Sequence, residues 1–202
     1  MDLQLILSFV LLLNPFALFI YLKDVMENLS HKDFLRVMTR ATIISFLICI
    51  LFAAFGDRIF MDIFHVDFQA FRVFGGVVLF SFAFLFIVRG HKTMIQVKSS
   101  LDEIANELAM PFMVGAGVIS VSILMGHQGS YMLSAVQIAI SLIINMAIVI
   151  ALKFTKDYLT SINAKSIFDK FMGILVRLLG FMIGAIGVNM IFTGIKGLLE
   201  CN

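Results

Sequence analysis

Apolar and polar residues follow each other in long blocks along this chain. Six apolar blocks, each close to the ~20 residues that an α-helix needs to cross a bilayer core, are separated by segments that carry most of the charge. Blocks of this length and composition are typical of membrane-spanning helices. The pattern predicts six such helices, at about residues 3–22, 38–56, 68–88, 107–125, 131–152 and 172–195.

The composition strengthens this interpretation. Of the 202 residues, 61% are hydrophobic and only 14% are charged, which is far from the balance of a soluble globular domain. Six helices occupy nearly the whole length, so residues 1–202 are predicted to form a single all-α, multi-pass domain in the cell membrane, with the lipid bilayer as its main partner. The basic residues lack the aromatic interleaving of nucleic-acid-binding surfaces, so no nucleic-acid partner is expected.

Lys and Arg are distributed unevenly between the two sides of the predicted membrane domain. Most of the 15 basic residues fall in the first, third and fifth loops, at positions 23–40, 89–98 and 153–170. Loops rich in Lys and Arg stay in the cytoplasm. Both termini are therefore predicted to lie outside the cytoplasm, which in a bacterial cell would make this an inner-membrane protein.

A helix breaker lies in the middle of the first apolar block, in the stretch FVLLLNPFALFIYL. Pro15 has no N–H and its ring clashes with the carbonyl group one turn earlier. The backbone groups that it releases would need another partner in hydrocarbon, such as the Asn14 side chain or a polar ligand in a cavity. The first helix is therefore predicted to break near mid-membrane at Asn14 and Pro15.

A weak internal repeat indicates a second break. Arg72 and Arg177 each stand three residues before a glycine at the start of an apolar block. Pro15 lies 57 residues before Arg72, and the Gly115–Gly117 segment of the fourth block lies at a similar distance before Arg177, with Ala116 61 residues upstream. Because a unit of three crossings has an odd number of passes, two copies must be inverted. The sequence predicts two inverted three-helix repeats, at about residues 1–88 and 107–197, joined by a cytoplasmic linker at about 89–106, with helices 1 and 4 interrupted.

The two breaks together predict a small-molecule site at mid-membrane. The N-terminus of a half-helix has free N–H groups and a partial positive charge, which suits a carboxylate. The amides of residues 16, 17, 117 and 118 are expected to bind it, and carbonyl groups near residues 12, 13 and 114 an ammonium group, between Phe16 and Phe112 as walls. No metal ion or other cofactor is expected. The predicted binding residues are Asn14, Pro15, Phe16, Ala17, Gly115, Ala116, Gly117, Val118 and Ser120.

Arg72 and Arg177 occupy equivalent places in the two predicted repeats. A long basic side chain at a helix start commonly extends to the membrane interface. The alternative is that the two arginines act as gates, each forming an ion pair when one side of the site is closed. The sequence leaves both alternatives open.

Several motifs resemble those of the MarC family of six-helix membrane proteins. They are NPF at Asn14–Phe16, FRVFGGVVLF at Phe71–Phe80, AMPFMVGAGVIS at Ala109–Ser120 and VRLLGFMIGAIGVNMIFTGIKG at Val176–Gly197. In the family's fourth-helix motif a proline stands between two glycines, where this chain has Ala116. Phe16 also stands where the family commonly has a small residue. The first departure brings the second helix break into question, and the second alters the shape of the predicted pocket.

The resemblance implies a transporter of small neutral amino acids, such as glycine, alanine and serine. Alternating access is the mechanism expected for inverted repeats, and the resemblance leaves a homo-oligomer open. No nucleophile, acid–base pair or metal-ligand cluster appears in the sequence, so an enzyme is not expected. The alternative is an interaction or regulatory protein that does not transport and retains the fold.

Overall fold

The computed structural model describes residues 3–63, 65–89, 100–127, 130–161 and 165–200, with nine of these side chains left out. Within these ranges all regular structure is helical. The α-helices are α1 Leu3–Leu13, α2 Pro15–Tyr21, α3 Lys23–Asn28, α4 His31–Arg58, α5 Phe68–Arg89, α6 Leu101–Glu107, α7 Ala116–His127, α8 Tyr131–Ser161 and α9 Lys165–Glu200, and π-helical segments occupy Ile59–Ile63 and Leu108–Met113.

The described ranges contain five stretches that are long and apolar enough to cross a membrane, and α7 is a shorter apolar helix. The first stretch, Leu3–Ile20, includes the interruption between α1 and α2. The fourth predicted helix is divided into α6, a π-helical segment and α7, so no piece of it reaches full length. An all-helical protein with several apolar helices is confirmed.

Several helices extend well beyond their apolar blocks. Helix α4 begins at His31 rather than near residue 38, since Ser30 caps it by accepting a hydrogen bond from the Asp33 amide. The start of α6 at Leu101 is fixed by a capping box between Ser100 and Glu103. The predicted helices were too short because the polar residues at a helix end lie outside the apolar block, although their backbone is still helical. Residues 90–99 of the predicted linker lie outside the described residues.

Ion pairs gather at one end of the helix bundle, which we call the basic end. Here Lys156 pairs with Glu27 and Arg40 with Asp102, so the start of α4, the end of α8 and the region of α3 and α6 meet. The opposite end, called the terminal end, is where α1 and α5 begin and α7 and α9 finish. Between the two ends the core consists of large buried side chains, including Phe9, Phe34, Met38, Ile138 and Leu142.

Helices α5 and α9 pack antiparallel along most of their length. A Cβ atom added to Gly76 would lie 2.5 Å from the Gly187 carbonyl oxygen, and one added to Gly187 would lie 2.8 Å from the Gly76 carbonyl oxygen. Backbone therefore meets backbone at this crossing, as in small-residue interfaces of membrane helices. The same packing places Gln69 of α5 beside Gly197 near the terminal end.

Candidate functional site

The first helix break is centred on Asn14, as the sequence predicts. Its backbone is left-handed, with φ 45° and ψ 73°, which turns the chain between α1 and α2. Asparagine adopts this conformation more readily than most residues. The Asn14 Oδ1 atom accepts a hydrogen bond from the Ala17 amide at 3.2 Å and so caps α2, while Pro15 occupies its first turn, where a missing N–H costs nothing.

The side-chain nitrogen of Asn14, Nδ2, has an unusual environment at this break. The residue is only 6% exposed, and its Nδ2 atom has no hydrogen-bond partner among the described residues. An unpaired donor in an apolar interior costs about 1 to 3 kcal/mol, so a polar ligand that pairs with it gains that energy. The cap therefore uses the Oδ1 atom of the Asn14 side chain and leaves its Nδ2 donor available for a ligand.

The second break precedes the Gly115–Gly117 segment that the sequence singled out. Met110 is extended inside the π-helical segment, and Val114 ends that segment with φ −112° and ψ 75°. Helix α7 begins at Ala116, since the Ile119 amide donates to the Gly115 carbonyl oxygen at 3.0 Å. Ala116 and Gly117 are therefore already helical, and the chain breaks at Val114 and Gly115. The break survives without proline because Ala116 is only the first residue of the new helix.

Both breaks line one cavity of about 290 Å³, which we call the central cavity. From the first break it receives the residues around Asn14, and from the second the first turn of α7. An apolar wall completes it, with aromatic side chains from α5. Asn14 provides the single polar side chain among the lining residues, which are Leu12, Leu13, Asn14, Ala17, Leu18, Phe71, Phe74, Val78, Leu79, Phe82, Val114, Gly115, Ala116, Gly117, Val118, Ile119 and Ile183.

Six of the nine predicted binding residues therefore meet around the central cavity: Asn14, Ala17, Gly115, Ala116, Gly117 and Val118. Pro15, Phe16 and Ser120 are absent from its lining. Pro15 is buried and Phe16 half-buried, on the first turn of α2. The side chain of Phe112, the other expected wall, lies outside the described part of the chain. The aromatic wall comes instead from α5, through Phe71, Phe74 and Phe82.

The amide group of Ala17 also differs from the expectation. It was predicted to be a free donor for a carboxylate, but Asn14 Oδ1 already accepts its hydrogen. The sequence could have indicated this, since Asn is a common N-cap residue and its side chain reaches the amide three positions later. The donors that remain at the central cavity are the first-turn amides of α7 and Asn14 Nδ2.

A second cavity of about 450 Å³, which we call the outer cavity, lies toward the terminal end. Leu12 and Gly117 line both cavities. Its polar lining residues include Arg72 and Ser120, so two of the residues singled out from the sequence meet here rather than at the central cavity. The lining residues are Ser8, Leu11, Leu12, Phe68, Gln69, Arg72, Gly117, Ser120, Val121, Ile123, Leu124, His127, Ile186, Asn189 and Met190.

Arg177 does not share the setting of Arg72. It is exposed on α9 and lines neither the central nor the outer cavity, although the repeat places the two arginines at equivalent positions. Arg72 is half-buried and donates from Nη1 to Gln69 Oε1 at 3.3 Å. The position in a repeat determines on which helix an arginine lies. Small rotations of that helix about its own axis determine which way the side chain faces.

A buried pair of lysines at the basic end was not predicted. The Lys156 and Lys153 side chains are only 5% and 6% exposed. Lys156 Nζ lies 2.9 Å from Glu27 Oε1, and Lys153 Nζ lies 3.2 Å from Asp157 Oδ2 and 5.4 Å from the centre of the Phe34 ring. Both lysines were predicted to lie in the fifth loop, so their burial was not foreseen. The signal was their spacing of three residues, which puts both on one helix face.

The chain was compared with known proteins. The model of the MarC family integral membrane proteins matches residues 3–199. A UPF0056 membrane protein of Methanocaldococcus jannaschii is 31% identical, and the match covers 93% of this chain and 92% of that protein. A UPF0056 membrane protein of Pyrococcus horikoshii is 28% identical, with 96% and 92% covered.

A third relative, a UPF0056 membrane protein of Bacillus subtilis, is 29% identical, with 85% of this chain and 83% of that protein covered. No solved structure matches the chain. The family model covers almost the entire sequence, and relatives of similar length align end to end. The chain is a multi-pass integral membrane protein and belongs to the MarC family.

Proposed function

We propose that this protein transports small neutral amino acids of the glycine, alanine and serine class by alternating access. One observation carries the proposal: two interrupted helices from different halves of the chain open onto the same cavity. Discontinuous helices in corresponding positions of two halves are the best structural indication of a transport site. The substrate class is the one that the sequence motifs shared with the MarC family imply.

The atoms around the central cavity suit a zwitterion. The first-turn amides of α7, at Gly117 and Val118, and the unpaired Asn14 Nδ2 atom are donors for its carboxylate. Leu12, Leu13 and Val114 come just before the breaks and line the same space, and we assign their carbonyl groups as the acceptors for its ammonium group. Both charges of an amino acid would thus be held mainly by the backbone.

The size and wall of the central cavity favour small side chains. Its volume of about 290 Å³ is at the lower limit of the ~300 to 1,000 Å³ usual for small-molecule sites. Phe71, Phe74 and Phe82 occupy one side, and with the exception of Asn14 the lining side chains are apolar or absent. A charged side chain would find no partner there. Glycine, alanine and serine fit this description better than leucine or lysine.

The pairing of the helices supports an inverted repeat. If α1–α2, α4 and α5 are exchanged with α6–α7, α8 and α9, neighbouring pairs become neighbouring pairs: α1 with α8 becomes α6 with α4, and α7 with α5 becomes α2 with α9. We therefore propose six crossings in two inverted repeats, and the basic end as the cytoplasmic end. Rocking of one half against the other would then alternate access to the central cavity.

The alternative was an interaction protein that retains the fold without transporting. Its main support was the loss of proline at position 116, which could have restored a continuous fourth helix. Helix α7 nevertheless begins at Ala116, and the central cavity is present. This observation favours the transport proposal.

Substitution of Asn14 by Asp tests the proposal. The carboxylate keeps the Oδ acceptor that caps α2 but replaces the Nδ2 donor with negative charge. Binding of glycine should weaken by about 1 to 3 kcal/mol for the lost donor, and by more through charge repulsion. Gly117→Val should block the cavity, because an added Cβ already lies 2.9 Å from Leu79 Cδ1.

Uptake of labelled glycine, alanine, serine and leucine into proteoliposomes is the measurement. Ile174→Val, at an exposed position on α9, is the matched control. Wild type and the control should transport the three small amino acids, while both cavity variants remain folded in detergent and inactive. Absence of uptake by wild type, or unchanged uptake by both cavity variants, would refute the proposal.

A further inference from the structure

Among the residues that the structure describes, the Arg72 guanidinium of the outer cavity has no acidic partner. Arg72 makes one hydrogen bond, to the neutral Gln69 side chain, and its guanidinium lies 6.0 Å from the centre of the Phe68 ring. No Asp or Glu side chain in the described ranges lies within 4.0 Å of it, and the nearby Asp67 instead accepts a hydrogen bond from the Gln69 amide at 2.6 Å. Guanidinium has five N–H donors, so Arg72 can donate to a ligand as well as to Gln69.

Polar side chains share the lining of the outer cavity with Arg72. Ser120 lines the same cavity, and its Oγ atom is buried without a hydrogen-bond partner in the described part of the chain. Gln69 and Asn189 add amide side chains to the wall, and no acidic residue is among the lining residues. An ionisable side chain within a membrane bundle is costly unless it is paired or faces water, and commonly marks a substrate path.

We propose that the outer cavity is a binding site for a carboxylate group, which Arg72 holds by two parallel hydrogen bonds. The inference rests on the proposed function, because it assigns the first contact of the transported amino acid. Arginine is suited to this task, since its planar donors match the two oxygens of a carboxylate. The buried Ser120 hydroxyl group provides a further partner for the same ligand.

The position of the outer cavity gives this site a role in selection. It adjoins the central cavity through Leu12 and Gly117, which line both. A carboxylate held at Arg72 would stand on the path from the terminal end to the helix breaks. The central cavity has no cationic side chain in its lining, so discrimination between amino acids and simple amines takes place at Arg72, before the ligand reaches mid-membrane.

An oxyanion at Arg72 could come from two sources, a carboxylate in solution or the phosphate of a lipid headgroup. Residues of four helices, α1, α5, α7 and α9, line the outer cavity, and Arg72 is half-buried among them. We therefore assign the solution carboxylate. The experiment separates the two by changing the soluble ligand and the lipid independently.

Protection of Arg72 from phenylglyoxal, followed by mass spectrometry of the purified protein in detergent, tests the site directly. Glycine and acetate should each slow modification of Arg72 by about tenfold at saturation, while methylamine and glycinamide should not. Arg58, exposed at the end of α4, is the internal control and should react at one rate throughout. Equal modification of Arg72 with and without acetate, or protection that appears only in phosphatidylglycerol nanodiscs, would overturn the assignment.

Substitution provides a second readout in proteoliposomes. Arg72→Gln should raise the KM for glycine by about tenfold or more, as expected for loss of a charge-assisted contact, with kcat largely retained. Arg72→Lys should recover part of the loss, because it restores charge without the paired geometry. An unchanged KM in Arg72→Gln would overturn the inference. Protection by acetate requires no transport, so failure of the transport proposal and failure of this site give different results.

Discussion

At the scale of single residues, the two helix breaks are made by different means. Asn14 breaks the first helix by its left-handed backbone and then caps the next helix with its own side chain. The second break depends on the backbone at Val114 and Gly115. Position 116 is the first residue of a helix whose start is fixed by its neighbours.

Substitution of Ala116 by proline should therefore be tolerated. Proline is favoured at the first position of a helix, where its missing N–H has no helical partner to lose. It also restricts the unfolded chain, so the protein should keep its stability or gain about 0.4 to 1 kcal/mol. Thermal unfolding in detergent is the measurement, with Ile119→Pro as the contrast, since the Ile119 amide bonds to Gly115. A large loss in Ala116→Pro would mean that α7 begins elsewhere.

The residues that the sequence could identify are those whose backbone chemistry is unusual. Asn14, Pro15 and Gly115 stand out in any apolar helix, and two of these three line the central cavity. Arg72 and Arg177 could not be distinguished, because side-chain direction follows from helix rotation in the bundle. The hydrogen bond from the Ala17 amide to Asn14 could have been predicted from the N-cap preference of asparagine. The lack of a partner at Nδ2 could not, because it depends on all the residues that surround this atom in the fold.

At the scale of elements, the antiparallel pair α5 and α9 is joined by glycines. Contact at Gly76 and Gly187 is between backbones, whereas Gly184 is looser, with an added Cβ 3.4 Å from the Ala83 Cβ atom. Only the structure distinguishes Gly76 and Gly187, where an added Cβ atom would clash, from Gly184, where it would not.

Two alanine variants of α9 test this difference. Gly187→Ala places a Cβ 2.8 Å from the Gly76 carbonyl oxygen and should lower the free energy of unfolding by about 1 to 3 kcal/mol through overpacking. Gly184→Ala makes only ordinary contact and should be neutral or stabilising by up to about 1 kcal/mol, since alanine is the better helix former. Chemical denaturation in detergent compares the two. Equal effects would show that α5 and α9 are less closely packed than described.

At the scale of the whole molecule, the two ends differ in access to the central cavity. Toward the terminal end it adjoins the outer cavity, while the basic end is joined by ion pairs between distant parts of the chain. The Glu27–Lys156 pair connects α3, in the first half, with α8, in the second. If the protein transports as proposed, this arrangement corresponds to a state closed toward the basic end.

Substitution of Glu27 by Gln should weaken that closure. Lys156 would stay buried with a neutral partner, and a hydrogen bond between charged groups contributes about 1.5 to 3 kcal/mol. A drop in thermal stability of that order is expected, and Lys156→Met added to Glu27→Gln should restore part of it. Glu200→Gln, in the exposed pair with Lys196, is the control and should change stability by less than about 0.5 kcal/mol. Equal effects at both pairs would contradict a role in closure.

The shortness of α7 has a consequence for how the protein is made. Its 12 residues extend only about 18 Å, against a hydrocarbon core of about 30 Å. Helix α7 alone is therefore too short to cross the bilayer. Among the described residues it packs most against α4 and α5, which precede it in the chain. We therefore expect its stable insertion to depend on contacts with helices that are already in the membrane.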